Sequence, residues 1–200
     1  MVMNQMDFSK LKFPFFVLVA AVIITAGGML ALQNFVKPTP IAQTQEDTPS
    51  LSLLNNIEYY HSYCEVPMKL TDGVFQWTEN FLCNQEPTFG FLFQIYNEKI
   101  AIGDLNFDGK SDAAVVLATN YGGSGNFREL AVVLSQDGTF KHVASVDIGD
   151  RVIVNEISIQ SSRILLDMVV HGPEDGACCP TQAVLKIFRF DVESQELIEI

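Results

Sequence analysis

From about residue 57 onward, apolar positions come in short runs broken by polar clusters, whereas the chain before that point has a different texture. The runs at 74–77, 88–95, 99–104, 113–119, 129–134, 139–146, 153–159, 163–170 and 183–190 are rich in β-branched and aromatic residues, the composition that suits pleated, half-buried strands. Turn-forming groups separate them: Thr71-Asp72-Gly73, Gln136-Asp137-Gly138, Gly149-Asp150 and Gln160-Ser161-Ser162. Links this short predict hairpins, so the sheet is expected to be largely antiparallel. Strands recurring at this spacing predict a mainly β domain, an antiparallel sandwich or open barrel. In the last run Val184, Lys186, Phe188 and Phe190 fall on one face and Ala183, Leu185, Ile187 and Arg189 on the other. Both faces are mostly apolar, which predicts a central strand. A short helix around 51–63 is the exception to this strand pattern.

The amino-terminal texture is a single apolar block. Residues 13–32, FPFFVLVAAVIITAGGMLAL, contain no charge, and at about 1.5 Å per residue a helix of that length crosses a bilayer. Lys10 and Lys12 precede it and Lys37 follows; the bias is slight, and the short amino tail favours the cytoplasmic side, so the rest is exported. The expected organisation is a cytoplasmic tail at 1–12, a transmembrane signal anchor at 13–32, a flexible linker at 33–56 and an extracytoplasmic β domain at 57–200. The linker is rich in Gln, Thr, Ser and Pro, a partly extended tether. A cleaved signal peptide is the competing reading, with Ala26 and Gly28 as small residues at a processing site. The apolar run continues through Met29, Leu30 and Leu32, which suits a retained anchor better. Gly28 stands where a bacterial lipoprotein carries its lipidated Cys, so lipidation is not supported.

Charge narrows the partners. Setting aside Lys10, Lys12 and Asp7, the whole-chain counts of 12 basic and 24 acidic residues become 10 and 23, a net charge of −13 for residues 33–200. Such a surface repels phosphate backbones and anionic headgroups, which argues against nucleic acid and is compatible with divalent cations. Most of this acidity also serves simply to keep an exported domain soluble.

Asp104-Leu105-Asn106-Phe107-Asp108-Gly109-Lys110-Ser111-Asp112 stands between two apolar runs. Oxygen ligands at alternate positions, a glycine at the sixth and a carboxylate at the ninth form the pattern by which one short loop wraps calcium. Asp104, Asn106 and Asp108 would offer side-chain oxygens, Lys110 its backbone carbonyl, and Asp112 the far side. Val115 occupies the twelfth position, where a helix-loop-helix site places a bidentate Glu, and the flanks are apolar and β-branched, so this is not an EF-hand. The run resembles the calcium loops of integrin-type FG-GAP and VCBS repeats, and more loosely a dockerin repeat. The competing reading is an Asp/Asn/Gly-rich turn without an ion. Three carboxylates this close repel one another without a cation, which favours the ion. The resemblance covers about one repeat, too little for a propeller.

Two further loops could carry chemistry. Tyr121-Gly122-Gly123-Ser124-Gly125-Asn126-Phe127 lacks the Gly-Lys-Ser/Thr ending of a phosphate-binding loop, and Asn126 stands where a nucleophile elbow needs glycine. It reads as a flexible hairpin link that could also serve in recognition. His171-Gly172-Pro173-Glu174-Asp175-Gly176-Ala177-Cys178-Cys179-Pro180 pairs a histidine with two thiols but lacks the two-residue spacer of zinc knuckles. In an exported domain Cys64, Cys83, Cys178 and Cys179 are better read as disulfides. The favoured pairing is Cys64 with Cys83 and Cys178 with Cys179; the alternative staples the adjacent pair to the two earlier cysteines. His61 and His142 read as surface or packing residues.

The ordered set Gly103-Asp104, Asp108-Gly109, Asp112-Ala113, Gly123-Ser124-Gly125, Gly149-Asp150-Arg151 and Cys178-Cys179-Pro180 resembles a family of exported bacterial proteins, often lipoproteins. The resemblance implies export and a β domain; it supplies no catalytic residues. The functional expectation is a membrane-anchored extracytoplasmic β domain with a calcium-binding loop, acting as a binding or envelope-structure module. The alternative is a thiol redox protein or enzyme using His171, Cys178 and Cys179.

Overall fold

The computed structural model describes residues 48–77 and 81–200. The tail at 1–12, the anchor at 13–32 and most of the 33–56 linker lie outside the described residues. Among those described, no helix is long and apolar enough to cross a membrane.

The described chain is mainly β, with antiparallel sheets and no closed barrel. One short helix, α1 (Leu51–Leu54), opens it; Ser50 caps it by accepting the Leu53 N–H on its hydroxyl, which satisfies one of the orphan donors of a helix start. Strands β1 (Glu58–His61) and β2 (Val66–Lys69) form a hairpin, as do β4 (Phe81–Cys83) and β5 (Glu86–Thr88). A five-stranded sheet has the order β3 (Val74–Trp77), β6 (Phe91–Gly103), β7 (Asp112–Tyr121), β8 (Phe127–Gln136) and β9 (Thr139–Asp150). A four-stranded sheet follows as a simple meander of β10 (Ile153–Gln160), β11 (Arg163–Val170), β12 (Gln182–Asp191) and β13 (Glu196–Glu199).

Turn chemistry sets much of this register. Asp137-Gly138 and Ser161-Ser162 take positive φ at both central positions, and they join Gln136 to Thr139 and Gln160 to Arg163. That geometry matches the right-handed twist of the flanking strands. Gly149-Asp150, expected to be a turn, instead lies in β9: Arg128 pairs with Gly149 and Glu129 with Asp147, so Ile148 is the extra residue of a bulge. The expected strands at 88–95 and 99–104 are one strand from Phe91. Tyr96, Asn97, Glu98 and Lys99 stand opposite the single Val116 of β7, between the pairs Ile95 with Leu117 and Ile100 with Val115. A bulge of this size bends a strand without ending it.

Two apolar layers use the two faces of the five-stranded sheet. On one, Ala114, Val116, Leu130, Val132 and Ala144 meet Val154, Ile164, Leu166, Met168, Phe188 and Phe190 of the four-stranded sheet. On the other, Val115, Leu117, Ala131, Val133 and Phe93 meet Leu54, Tyr59, Met68, Leu70 and Cys83. β7 is therefore buried from Asp112 to Thr119, and β8 from Arg128 to Ser135, as their continuous apolar runs require. β12 is central in hydrogen-bonding order, as read from the sequence, but its second face is open: Leu185 is exposed. The helix expected over 51–63 ends at Leu54, and β1 occupies 58–61. Leu54, assigned with the linker, is fully buried in the second layer.

Both histidines read as surface or packing residues are interior polar clips for that layer. His61 Nδ1 accepts the Cys64 N–H at 3.2 Å, so Nε2 carries the proton and donates to Thr119 Oγ1 at 3.0 Å. His142 Nδ1 accepts the Tyr60 N–H, and its Nε2 donates to Ala144 O and Ser145 Oγ. Burial lowers each imidazole to about 4, because a charged ring would lose water without gaining an anion.

Candidate functional site

The 104–112 loop is held by its own side chains. Asp104 Oδ1 accepts the Phe107 N–H and its Oδ2 the Gly109 N–H. Asn106 Oδ1 accepts from Asp108 N, and Asp108 Oδ1 from Lys110 N. These are the local side-chain-to-backbone bonds that Asx residues make in turns. Asp112 behaves differently: it is fully buried, with Oδ2 accepting the Leu105 N–H at 2.9 Å and Oδ1 the Ser135 N–H at 2.9 Å. Its carboxylate thereby ties the loop to β8. Burial raises its pKa, and the charges of Asp108 and Asp104 add to the rise. Among the described residues, no three His, Cys, Asp or Glu side chains converge on a point that could hold a metal. The oxygens left for a cation are the second lone pairs of Asp104, Asn106 and Asp108 and the Lys110 carbonyl, all hard donors of the kind calcium takes.

The cysteines form the bonds Cys64–Cys83 and Cys178–Cys179. The first ties the β1–β2 turn to β4, and both of its cysteines are buried in the second layer. The second lies exposed in the 171–181 loop. Asp175 frames that loop by accepting from Gly172 N, Thr181 N and Thr181 Oγ1, bonds that hold its carboxyl below the usual range. Arg151 connects three places far apart in sequence. Its Nε and Nη2 donate to Ser124 O, its Nη2 also to Ser124 Oγ, and its Nη1 to Ala177 O and Asp150. The glycine-rich loop, the 149–151 corner and the cysteine loop are thus one assembly, with the guanidinium fork as the joint.

The glycine-rich loop needs glycine at 122 for a steric reason. Its φ is +83°, and a Cβ there would lie 1.6 Å from the Phe89 carbonyl oxygen. That close approach seats the loop on the β5–β6 link, next to a cavity that Thr88 and Tyr121 help to line. The cavity is about 680 Å³ and is lined by Ser62, Tyr63, Cys83, Glu86, Thr88, Tyr121, Phe127, Glu129 and Asp147. Such a volume suits a small ligand. Tyr121 meets Tyr63 and Phe127 edge to face, with ring centroids 5.5 and 5.4 Å apart.

Glu129 is the unusual member. It is 6% exposed; Oε1 accepts the Ser62 hydroxyl at 3.0 Å, while Oε2 makes no hydrogen bond of ordinary geometry, although the Ser145 hydroxyl, like that of Ser62, favours the charged carboxylate. Burial raises its pKa, and Asp147, its direct partner across β8 and β9, adds to the rise. Its sequence neighbour Arg128, also buried, points to the opposite face, where its guanidinium lies 4.0 Å from the Tyr96 ring centroid and donates to Asn126 and Phe127 carbonyls.

The expected ligand set 104–112 and the expected cysteine loop are therefore separate features, and neither contributes a residue to the cavity. Glu129 and Asp147 were not singled out from the sequence, whereas Tyr121 and Phe127 are the two ends of the glycine-rich loop read there as a hairpin link that could serve in recognition. The available signal was Arg128-Glu129, two adjacent charges at the head of a strand otherwise apolar on both faces. Neither a protein-family model, nor a curated protein, nor a solved structure matches this chain.

Proposed function

We propose that the chain is a membrane-tethered extracytoplasmic binding module, a β sandwich held off the bilayer by the 13–32 anchor and the following linker. The observation that carries the binding reading is the cavity beside β7–β9 with a buried, half-satisfied carboxylate in its wall. Concave sites with a few convergent polar groups are where small ligands bind, and a purely structural wall has no use for an orphan acceptor. The test is a fragment screen on the full chain in nonionic detergent, read by amide NMR at Tyr121, Phe127, Glu129 and Asp147. Charged and neutral fragments that all leave these amides unmoved would end the ligand-site reading.

Calcium is the ion proposed for the 104–112 loop, with Asp104, Asn106, Asp108 and the Lys110 carbonyl as ligands and Asp112 as the brace that places them. At ten times the dissociation constant, an ion bound only to the folded state adds about 1.4 kcal/mol. That raises the unfolding temperature by about 4 °C for a domain of this size. Asp108→Ala is expected to abolish the rise. An equal unfolding temperature in calcium and in chelator would leave the loop a turn. A thiol redox role for His171, Cys178 and Cys179 is the second reading, favoured by the exposure of both bonded cysteines; a disulfide inert to reductant under native conditions would remove it.

A further inference from the structure

We propose that the cavity takes a small primary amine in its protonated form, with Glu129 as the anchoring anion, Asp147 as the second carboxylate and Tyr63, Tyr121 and Phe127 as walls for the apolar body. The proposal rests on the binding reading above and adds the chemical class of the ligand.

Four observations select that class. Glu129 and Asp147 are direct partners across two adjacent strands, a placement in which like charges repel. Both line the cavity, Glu86 lines it as well, and none of the described lining residues is basic. The buried Arg128 cannot neutralise them, because it projects from the opposite face of β8 and is engaged by Tyr96 and Asn126. The cavity thus gathers three carboxylates and, among the described lining residues, no cation to offset them.

The orphan oxygen makes the class narrower. Glu129 Oε2 is buried and makes no hydrogen bond of ordinary geometry, with the Ser145 hydroxyl as the chain's own nearby donor, so a charged donor that reaches it adds stability there. A primary ammonium supplies N–H groups together with positive charge; a quaternary ammonium supplies only charge, and a hydrated metal would meet one carboxylate at depth among aromatic rings. Edge-to-face rings at Tyr63, Tyr121 and Phe127 provide apolar area and π faces that attract a cation. The Ser62 hydroxyl already fixes the other oxygen, so the carboxylate is oriented before the ligand enters.

The test uses the full chain in nonionic detergent and three isosteres that differ in charge: phenethylamine, 2-phenylethanol and 3-phenylpropionate. Nα-acetyl-lysine amide is a fourth probe, standing for a lysine side chain of a partner. Calorimetry, with amide NMR to locate binding, is expected to show phenethylamine binding about 10- to 100-fold more tightly than the alcohol, the range of a hydrogen bond to a charged group. Glu129→Gln should erase that preference, and Asp147→Asn should reduce it. Tighter binding of the lysine amide would assign the amine to a partner's side chain, and tighter binding of phenethylamine to a free amine. Binding of the alcohol or the propionate at these residues without preference for the amine would overturn the proposal and leave the ligand site standing. Unchanged preference in Glu129→Gln, in a variant with an unaltered unfolding temperature or a higher one, would overturn it as well. No binding by any probe would remove both the proposal and the reading beneath it.

Discussion

Two buried carboxylates on the same sheet, at opposite ends of the molecule's chemistry, are worth setting side by side. Asp112 opens β7 and accepts two backbone N–H bonds, one for each oxygen. Glu129 lies in β8 and accepts the Ser62 hydroxyl on one oxygen. Both are raised in pKa by burial first and by a nearby like charge in addition. The difference is how far the fold completes the site: two backbone N–H groups satisfy Asp112, whereas the second oxygen of Glu129 makes no hydrogen bond of ordinary geometry. A saturated carboxylate stabilises structure, and an unsaturated one at a cavity wall is a candidate for binding, which is the reading proposed above.

The largest expected effect breaks the comparison at its structural end. Asp112→Ala strands the Leu105 and Ser135 N–H groups in the interior, at about 1–3 kcal/mol each, so a loss of about 4 kcal/mol in urea unfolding is expected. Asp112→Asn, which keeps an acceptor, should lose less. A loss below about 1 kcal/mol for the alanine variant would contradict the brace assigned to Asp112.

Acid comes next and separates the two faces of the sheet. His61 and His142 are lowered to about 4 in the folded state from 6.5, so between those values the unfolded chain binds more protons. Their stabilisation is complete above 6.5, falls as pH drops, and is fully lost once pH passes about 4. At pH 4.5 each histidine removes about 2–3 kcal/mol. The raised carboxyls of Asp112 and Glu129 act with the opposite sign, binding protons more readily when folded. Hydrogen exchange is therefore expected to open the β1–β2 layer first as pH falls from 7 to 4.5, with the Leu105 and Ser135 amides still protected. Uniform opening of both regions would refute this.

The smallest effect sharpens the comparison at its functional end. Glu129→Gln removes a buried charge and its repulsion from Asp147, and the amide oxygen can still accept from Ser62. Stability is expected to stay level or rise by about 1 kcal/mol, the reverse of Asp112→Asn, as read by the same urea midpoints. A clear loss would mean that Glu129 is structural.

Legibility in the sequence followed the range of the forces involved. The strands at 74–77 and 163–170 match β3 and β11 end to end, because alternation and two-residue turns are local. The short helix expected around 51–63 is confined to Leu51–Leu54, and β1 takes 58–61, where Tyr59 is buried against His142 with ring centroids 5.6 Å apart. The strand from Phe91 was expected as two runs, 88–95 and 99–104, on either side of the polar Asn97-Glu98. In the fold its positive φ values serve a bulge, since β7 supplies partners on both sides.

The sequence by itself determined a mainly β, antiparallel domain with acidic loops, and it limited the four cysteines to three pairings. Those properties depend on side-chain period, turn residues and composition, which act over a few positions. Only the tertiary structure decided that Asp112 is internal to the fold, that Arg151 joins three loops, and that Glu129 stands beside Asp147 in the wall of a cavity with no basic side chain among its described lining residues. Each depends on strand register, and shifting β8 by one residue would exchange the faces of Arg128 and Glu129.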